Sequence, residues 1–176
     1  MLSTAFNNSA VDQTDNNIDA FARFSVEADG DATWYVGAAR KTRSPSYQER
    51  YLWLPLEATG GLADGKTYIG DPALSPEVAY EVELGLDLEN SRYGLYPRLF
   101  YKRVADYIQG TPSTNVTANR FSQMMANMGM GQAGPLQFGN VDARFYGIDI
   151  DSNLTLSDQL TLRAILNIVR ADRRDI

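Results

Sequence analysis

The sequence predicts an all-β fold: an antiparallel, up-and-down segment of a transmembrane β-barrel with about six strands, which is too few to close a barrel. Long stretches alternate strictly between apolar and polar residues, tight turns join these stretches in pairs, and two long polar segments separate the pairs. Alternation of this kind, rather than a continuous apolar run, is typical of a membrane strand because only every second side chain faces lipid.

The stretch 78–88 is the clearest of the predicted strands. Its apolar side chains all fall on one face when the residues are counted in steps of two, while the other face carries Glu81, Glu83 and Asp87. A tilted strand of about ten residues is long enough to cross a bilayer. Three carboxylates are not tolerated in a packed core, so we expect this wall to face water and the apolar wall to face lipid.

Tight turns are predicted at three places. They join residues 21–28 to 33–39, 78–88 to 93–109, and 146–156 to 160–169. The polar segments 40–77 and 110–140 are far longer than an ordinary connection of about five residues. Residues 1–17 are predicted to form another polar loop, without the apolar core of a targeting peptide. Short turns at one end of a sheet and long loops at the other are typical of outer-membrane barrels.

Composition excludes several classes of function. A net charge of −6 argues against a nucleic-acid partner, whose phosphates need clustered lysine and arginine. The chain has no histidine, the usual general base and the commonest metal ligand, so we predict that it is not an enzyme and uses no cofactor. No apolar run is long enough for a membrane helix. Alternating strands joined by hairpins also fit a soluble β-sandwich binding module, which stays open as an alternative.

Four segments, taken in order, carry a resemblance to a known family. They are residues 38–51, with Arg43 and Pro45; residues 68–87, with the stretch 70–77 before the clearest strand; residues 98–110, with 106–108 at the strand's end; and residues 140–175, beginning at Asn140. In this order they resemble the C-terminal portion of the β-barrel of TonB-dependent outer-membrane receptors, over about residues 20–174. Asp71 and Asp149 depart mildly from the residues usual in that family, Asn and Glu.

The resemblance implies a receptor segment in the bacterial outer membrane that serves active uptake of a scarce nutrient, either a metal chelate such as a ferric siderophore or copper. The implied partners are outer-membrane lipid, the small-molecule or metal-chelate substrate and the inner-membrane TonB complex, the last only through a plug domain. We expect residues 1–176 to be a partial barrel domain, with the plug and the remaining strands absent. A passive pore or structural outer-membrane barrel is the alternative.

The two long segments hold the candidate binding residues. Charged and aromatic side chains of the first segment can contact an organic ligand through charge and stacking: Arg43, Tyr47, Arg50, Tyr51, Trp53 and Tyr68. Four thioethers in the second segment can hold one soft ion such as Cu(I): Met124, Met125, Met128 and Met130. Methionines also serve as adaptable apolar filler, so simple packing is the alternative for this cluster.

Overall fold

The computed structural model of this chain describes residues 2–9, 12–28, 30–57 and 64–174. Within these residues most of the chain is β-strand, so the predicted all-β fold is confirmed. The strands are β1 (Ala20–Glu27), β2 (Ala32–Arg43), β3 (Leu56–Glu57), β4 (Thr67–Ile69), β5 (Glu77–Glu89), β6 (Tyr93–Pro112), β7 (Leu136–Ser157) and β8 (Leu160–Arg173), and the helices are α1 (Leu2–Asn7), α2 (Tyr47–Tyr51) and α3 (Val116–Asn127). None of these helices is both long enough and apolar enough to span a membrane.

The chain divides into two compact units. The first, called the strand unit, comprises Ile18–Thr42, Val78–Ala105 and Asp142–Ile176. The second, called the loop unit, comprises Met1–Asn17, Arg43–Glu77 and Asp106–Val141. The division follows the sequence pattern, because the loop unit takes in most of the two long polar segments.

The strand unit is an up-and-down sheet with its strands in the order β1-β2-β5-β6-β7-β8. Its hairpins are antiparallel, and their registers pair Leu84 with Leu99 and Ile150 with Leu166. Among the described strands, β1 pairs only with β2 and β8 only with β7, so the sheet is open. The predicted strands and hairpins are confirmed. In the first turn Gly30 has φ +89°, whereas Asp29, part of the same predicted turn, lies outside the described residues.

The two faces of the strand unit differ in chemistry, as the alternation predicted. The first, called the apolar face, carries large apolar side chains that are exposed: Val26, Trp34, Val36, Val82, Leu84, Leu99, Leu166 and Ile168. The opposite, charged face carries ion pairs, among them Arg163 with Asp151 (Nη2 to Oδ2, 2.6 Å) and Arg23 with Asp87 (3.8 Å). An exposed apolar surface of this extent marks contact with lipid or with another protein.

At two positions on the charged face, an aromatic ring lies over a glycine of the neighbouring strand. A Cβ atom at Gly85 would overlap the ring of Tyr35, and one at Gly147 would overlap the carbonyl oxygen of Ile168 and lie 3.0 Å from the ring of Phe100. Only glycine leaves room for such a ring. The guanidinium carbon of Arg23 lies 3.4 Å from the centroid of the Tyr35 ring, so charge covers this aromatic layer.

The loop unit has a small core of its own. β3 pairs with β4 in antiparallel fashion, and β4 pairs with β7 in parallel fashion, with Tyr68 opposite Leu136. Tyr68 packs with Leu74, Ile108 and Phe138 in one buried cluster. The unit therefore has defined packing, which two irregular loops would lack.

Local capping explains two helices that the sequence pattern did not predict. Ser46 and Glu49 form a reciprocal capping box at the start of α2. At the start of α3 the Asn115 side chain accepts hydrogen bonds from the backbone N–H groups of Thr117 and Ala118. The interpretation of 40–77 and 110–140 as plain loops was therefore wrong in part.

Some predicted boundaries also differ from the structure. Four strands extend into the predicted loops, since β2 ends at Arg43, β5 begins at Glu77, β6 ends at Pro112 and β7 begins at Leu136. Two short strands, β3 and β4, raise the described strands above the predicted six. Residues 2–7, predicted to be part of a polar loop, form α1.

Candidate ligand-binding site

Arg43 joins two segments of the loop unit. Its guanidinium donates to Glu49 (Nη1 to Oε2, 2.9 Å) and to Glu77 (Nη2 to Oε1, 2.7 Å). Glu77 Oε1 also accepts a hydrogen bond from the backbone N–H of Ile108 at 2.8 Å. The bond to Glu77, together with that to Glu49, raises the pKa of Arg43, so this side chain stays charged. Both of its carboxylate partners lie within the loop unit.

Arg43 and the backbone of Ser46 change the pKa of Glu49. Burial by itself raises the pKa of Glu49, but the hydrogen bonds from Arg43 and from the backbone N–H of Ser46 outweigh burial and leave that pKa below its ordinary value. The carboxylate is therefore ionised at neutral pH. Together these contacts fix the start of α2 to the end of β2.

Arg50, a second candidate from the sequence, is buried. Its guanidinium donates to Asp15 (Nη2 to Oδ1, 2.8 Å) and to the carbonyl of Leu74 (3.1 Å). The side chains of Arg50 and Asp15 are only 7% and 12% exposed. The hydrogen bond from Arg50 lowers the pKa of Asp15. This pair ties the segment before β1 to α2 and to the segment that leads into β5.

Tyr68 is also part of the loop-unit core. Its ring stacks on Phe138, with centroids 5.0 Å apart and 20° between planes. Its hydroxyl donates to Asp64 Oδ2 at 2.6 Å. Burial, together with this bond, raises the pKa of Tyr68 to about 12. Tyr68 and Phe138 line a pocket of about 350 Å³, together with Glu49, Tyr107 and Gln109.

The other aromatic candidates of the first segment lie at the surface. Tyr47 is 79% exposed and Trp53 is 43% exposed. The rings of Tyr47 and Tyr51 are 5.2 Å apart and tilted by 45°. The candidates of the first segment therefore fall into two groups. The first consists of the exposed rings of Tyr47 and Trp53 with the half-buried Tyr51. The second consists of Arg43, Arg50 and Tyr68, which bond to other residues of the loop unit, Arg43 with its side chain 46% exposed.

The four methionines differ in their position relative to one pocket of the loop unit. Met124 and Met125 lie in α3, Met128 is its C-cap residue, and Met130 follows in the Gly-rich turn. Met125 and Met130 line one pocket of about 370 Å³, whereas Met124 and Met128 do not line it. Met124, Met128 and Met130 are all exposed. The turn holds Met125 and Met130 close together, because the backbone N–H of Met130 donates to the carbonyl of Met125 at 2.9 Å.

The pocket that contains Met125 and Met130 also contains a buried hydroxyl. Ser122 is 2% exposed, lines this pocket, and has no hydrogen-bond partner for its Oγ among the described residues. A buried hydroxyl without a partner costs free energy, about 1 to 3 kcal/mol, unless water or a ligand satisfies it. The pocket is therefore of mixed character: its lining includes the polar residues Thr67, Ser122 and Gln132 as well as two thioethers, glycines and Pro55.

The sequence matches the family model described as "TonB dependent receptor-like, beta-barrel" over residues 4–175. The chain belongs to the TonB-dependent receptor β-barrel family. The resemblance stated from the sequence is thereby confirmed. The soluble β-sandwich alternative is set aside, because the matched family is a barrel family and the described strands form one sheet.

Solved structures of TonB-dependent receptors have the same fold. The copper transporter OprC matches with a TM-score of 0.62 at 19% identity, and the siderophore receptor PirA from Pseudomonas aeruginosa with 0.68 at 15%. A variant of the ferric enterobactin receptor PfeA from the same organism matches with 0.57 at 18%. These matches cover 87%, 88% and 86% of this chain, but only 20%, 28% and 21% of those proteins. No protein of curated function matches the sequence.

The TonB-dependent receptor family consists of transport receptors rather than enzymes. Among the matched structures, OprC is named as a copper transporter, PirA as a siderophore receptor and PfeA as a ferric enterobactin receptor. At these identities the solved structures establish the fold of this barrel segment and not its substrate. The chain also spans less than a third of each receptor, so the work of a whole receptor is not described by these residues alone.

Sequence reasoning quoted Asn140 as part of the resemblance to this receptor family but assigned it no role. Its amide donates to the carbonyls of Ser75 (3.0 Å) and Asp106 (2.7 Å), and its Oδ1 accepts from the backbone N–H of Ser75 (2.9 Å). Asp106 has φ +57°, which is uncommon for a residue other than glycine. One side chain therefore holds together three segments of the loop unit.

Ser122 was missed entirely. Ala118, Ser122 and Met125 are spaced by four and three residues, the spacing of one helix face, and Ala118 and Ser122 are both buried. This helical spacing within 110–140 is the sequence signal that would have indicated a buried position for Ser122.

Proposed function

We propose that this chain is a segment of an outer-membrane receptor for the active uptake of a metal-bearing nutrient, with a metal chelate such as a ferric siderophore as the first candidate substrate. The family match over residues 4–175 carries the proposal. Coupling to the TonB complex belongs to the whole receptor, and we assign that contact to no residue of this chain.

The membrane location is supported by the apolar face of the strand unit. Its exposed side chains include Leu84, Leu99 and Ile168, which water would not favour and hydrocarbon would. We propose that this face meets lipid, that the tight turns lie on the periplasmic side, and that the long segments 40–77 and 110–140 face outside the cell.

Substrate contact is assigned to the exposed aromatic residues. Tyr47 and Trp53 are available at the surface, and each offers a large rigid face for stacking on an organic chelate. Tyr51, beside Tyr47, completes this group. Arg43, Arg50 and Tyr68 are proposed to act indirectly, because their internal contacts hold the segment that carries the aromatic rings.

Uptake of radioactive iron by cells that make the full receptor tests this assignment. Iron-55 is supplied as a ferric catecholate or hydroxamate chelate. Replacing Tyr47 and Trp53 together by alanine is expected to lower accumulation at limiting chelate about tenfold, the loss that removal of about 1.4 kcal/mol of binding energy gives. Tyr93→Ala is the matched control, since Tyr93 is also an exposed aromatic residue but lies at the tight β5–β6 turn.

Energy dependence distinguishes the receptor from the rival passive pore. Collapse of the proton gradient with a protonophore is expected to stop accumulation through a receptor. Accumulation that continues without the gradient, with ion conductance in a planar bilayer, would instead establish the pore. Equal uptake by the Tyr47/Trp53 variant and the Tyr93 control would remove these two rings from the binding site.

Copper is the second candidate substrate, and the pocket at the end of α3 favours it. Thioethers suit Cu(I), and Met125 and Met130 share this pocket with the unpaired Ser122 hydroxyl. No group of three or more histidine, cysteine, aspartate or glutamate side chains suited to a metal occurs within residues 2–9, 12–28, 30–57 and 64–174. A soft ion is therefore favoured over a hard one.

Two pairs of methionine variants test the copper site. Met125→Leu with Met130→Leu is expected to weaken Cu(I) binding by at least about tenfold, while Met124→Leu with Met128→Leu leaves it unchanged. Leucine keeps the volume nearly constant, so packing is preserved in both pairs. The measurement is a competition titration of Cu(I) on the detergent-solubilised protein. Equal weakening by both pairs would support a site made of all four methionines. No weakening by either pair would indicate that the methionines serve as apolar filler.

A further inference from the structure

The strand unit has a groove of about 630 Å³ whose walls and floor differ in size. Its floor is made of alanines, since Ala22 lies opposite Ala38 in the β1–β2 register. Its wall is made of large side chains on β5 and β6, where Val82 lies opposite Tyr101. All four residues lie on the apolar face. The step from alanine to the larger side chains of Val82 and Tyr101 forms the groove.

Two arginines lie at one end of this groove. Arg40 pairs with Ala20 and Arg103 pairs with Tyr80. Each arginine lies two residues after a groove residue of its strand, Ala38 or Tyr101, and therefore on the same face. The guanidinium carbon of Arg40 lies 5.9 Å from the centroid of the Tyr80 ring. This end is the one away from the tight turns. Arginine stems can run along apolar surface while the charge reaches water or a headgroup, and tyrosines favour the same level of a bilayer.

The charge at this end favours an anion. Arg40, Arg103, Arg144 and Arg170 all lie on the apolar face at the ends of their strands away from the tight turns, in a chain whose net charge is −6. The carboxylates on the same face are those of Asp142 and Asp172, which leaves an excess of two positive charges among these residues.

The carboxylates beside the two groove arginines neutralise them only weakly. The ion pair of Arg103 with Asp142 is long, 3.9 Å, and both side chains are about half exposed, 54% and 44%. Asp19, which lies near Arg40, already accepts two hydrogen bonds from Thr42, at 2.7 and 2.8 Å.

We propose that this groove binds one acyl chain of an anionic lipid and that the lipid phosphate lies against Arg40 and Arg103. The proposal rests on the membrane location argued above. A guanidinium matches phosphate oxygens with two parallel hydrogen bonds, and the alanine floor accepts methylenes without a polar group to satisfy. A neutral lipid would fill the groove but would leave the arginines without an anion.

Lipid binding to the detergent-solubilised protein, measured by native mass spectrometry, tests the proposal. Dioleoyl phosphatidylglycerol is expected to bind about tenfold more tightly than dioleoyl phosphatidylcholine. Arg40→Gln with Arg103→Gln is expected to abolish this preference. Arg92→Gln with Arg98→Gln changes the net charge equally, and is expected to preserve the preference, because Arg92 lies in a tight turn and Arg98 pairs with Gly85 on the charged face.

The acyl chain is tested separately from the headgroup. Ala22→Leu with Ala38→Leu fills the groove but leaves both arginines in place, and is expected to lower phosphatidylglycerol binding about tenfold. Ala164→Leu is the control, since Ala164 is on the same face but outside the groove. Inorganic phosphate is expected not to displace the lipid.

Three results would contradict the proposed lipid site. They are equal binding of the two lipids, unchanged binding in both groove variants, and displacement of the lipid by inorganic phosphate alone. A change of oligomeric state in the groove variants, with lipid binding unaffected, would assign the groove to a second copy of the chain instead. Each of these results can occur while the protein still needs detergent, so it would contradict the lipid site without contradicting the membrane location. A monodisperse protein in plain buffer would instead contradict the membrane location.

Discussion

Leu166→Arg is expected to destabilise the membrane-folded protein by about 2 to 4 kcal/mol. Leu166 lies seven residues into β8, close to the middle of the ten or so residues that cross a bilayer, and its side chain is exposed on the apolar face. A guanidinium at this depth loses its water and gains no partner. Urea unfolding in lipid vesicles measures the change.

The adjacent residue supplies the control for this prediction. Asn167 lies at the same depth but on the charged face, where it donates to Asp149 across the β7–β8 pair. Asn167→Arg keeps a donor beside that carboxylate, so we expect it to cost less than about 1 kcal/mol. Equal destabilisation by the two variants would show that the assignment of the faces is wrong.

Arg50→Met is expected to destabilise the loop unit by about 3 kcal/mol. The change leaves the Asp15 carboxylate, which is 12% exposed, without its guanidinium partner, and removes a donor from the Leu74 carbonyl. Methionine retains most of the apolar stem, so the loss reports the charge and its hydrogen bonds. Hydrogen exchange of the loop-unit amides measures the change locally.

A double variant separates this ion pair from packing. Adding Asp15→Asn to Arg50→Met removes the unpaired charge and is expected to recover part of the lost stability. The pair also gives a pH dependence: because Arg50 lowers the pKa of Asp15, its contribution is complete above the ordinary value of 3.8 and is lost as the pH falls through the lowered value. Strictly additive losses, or protection that does not change in acid, would argue against a coupled pair.

The strand unit was predictable because each of its faces meets one kind of environment. In β5 the side chains of Val82 and Leu84 alternate with those of Glu81 and Glu83, so the sequence period of two directly reports the two faces. β7 was predicted too short. Gly139 and Asn140 interrupt the alternation near its start, and pairing with neighbouring strands, which the sequence does not display, continues the strand through them.

The loop unit was less predictable because distant contacts define it. α3 buries only Ala118 and Ser122 among its helical residues, so its apolar periodicity is weak. Arg43 and Arg50 are charged residues in a polar segment and therefore indicated ligand binding. Their partners Glu77 and Asp15 are more than thirty residues away along the chain, and nothing local identifies them. The exposure of Tyr47 and Trp53 could likewise not be inferred from spacing.

The Asn140 contacts have a consequence for the order of assembly. The bonds between Asn140 and Ser75 close a segment of 65 residues. Loop closure over such separations has an entropic cost that must be met before the contacts form, and non-local contacts of this kind form slowly. The hairpins can form first, because their paired strands are close in sequence. Binding competence should therefore mature after the hairpins have formed, once the segments that carry Ser75 and Asn140 have met.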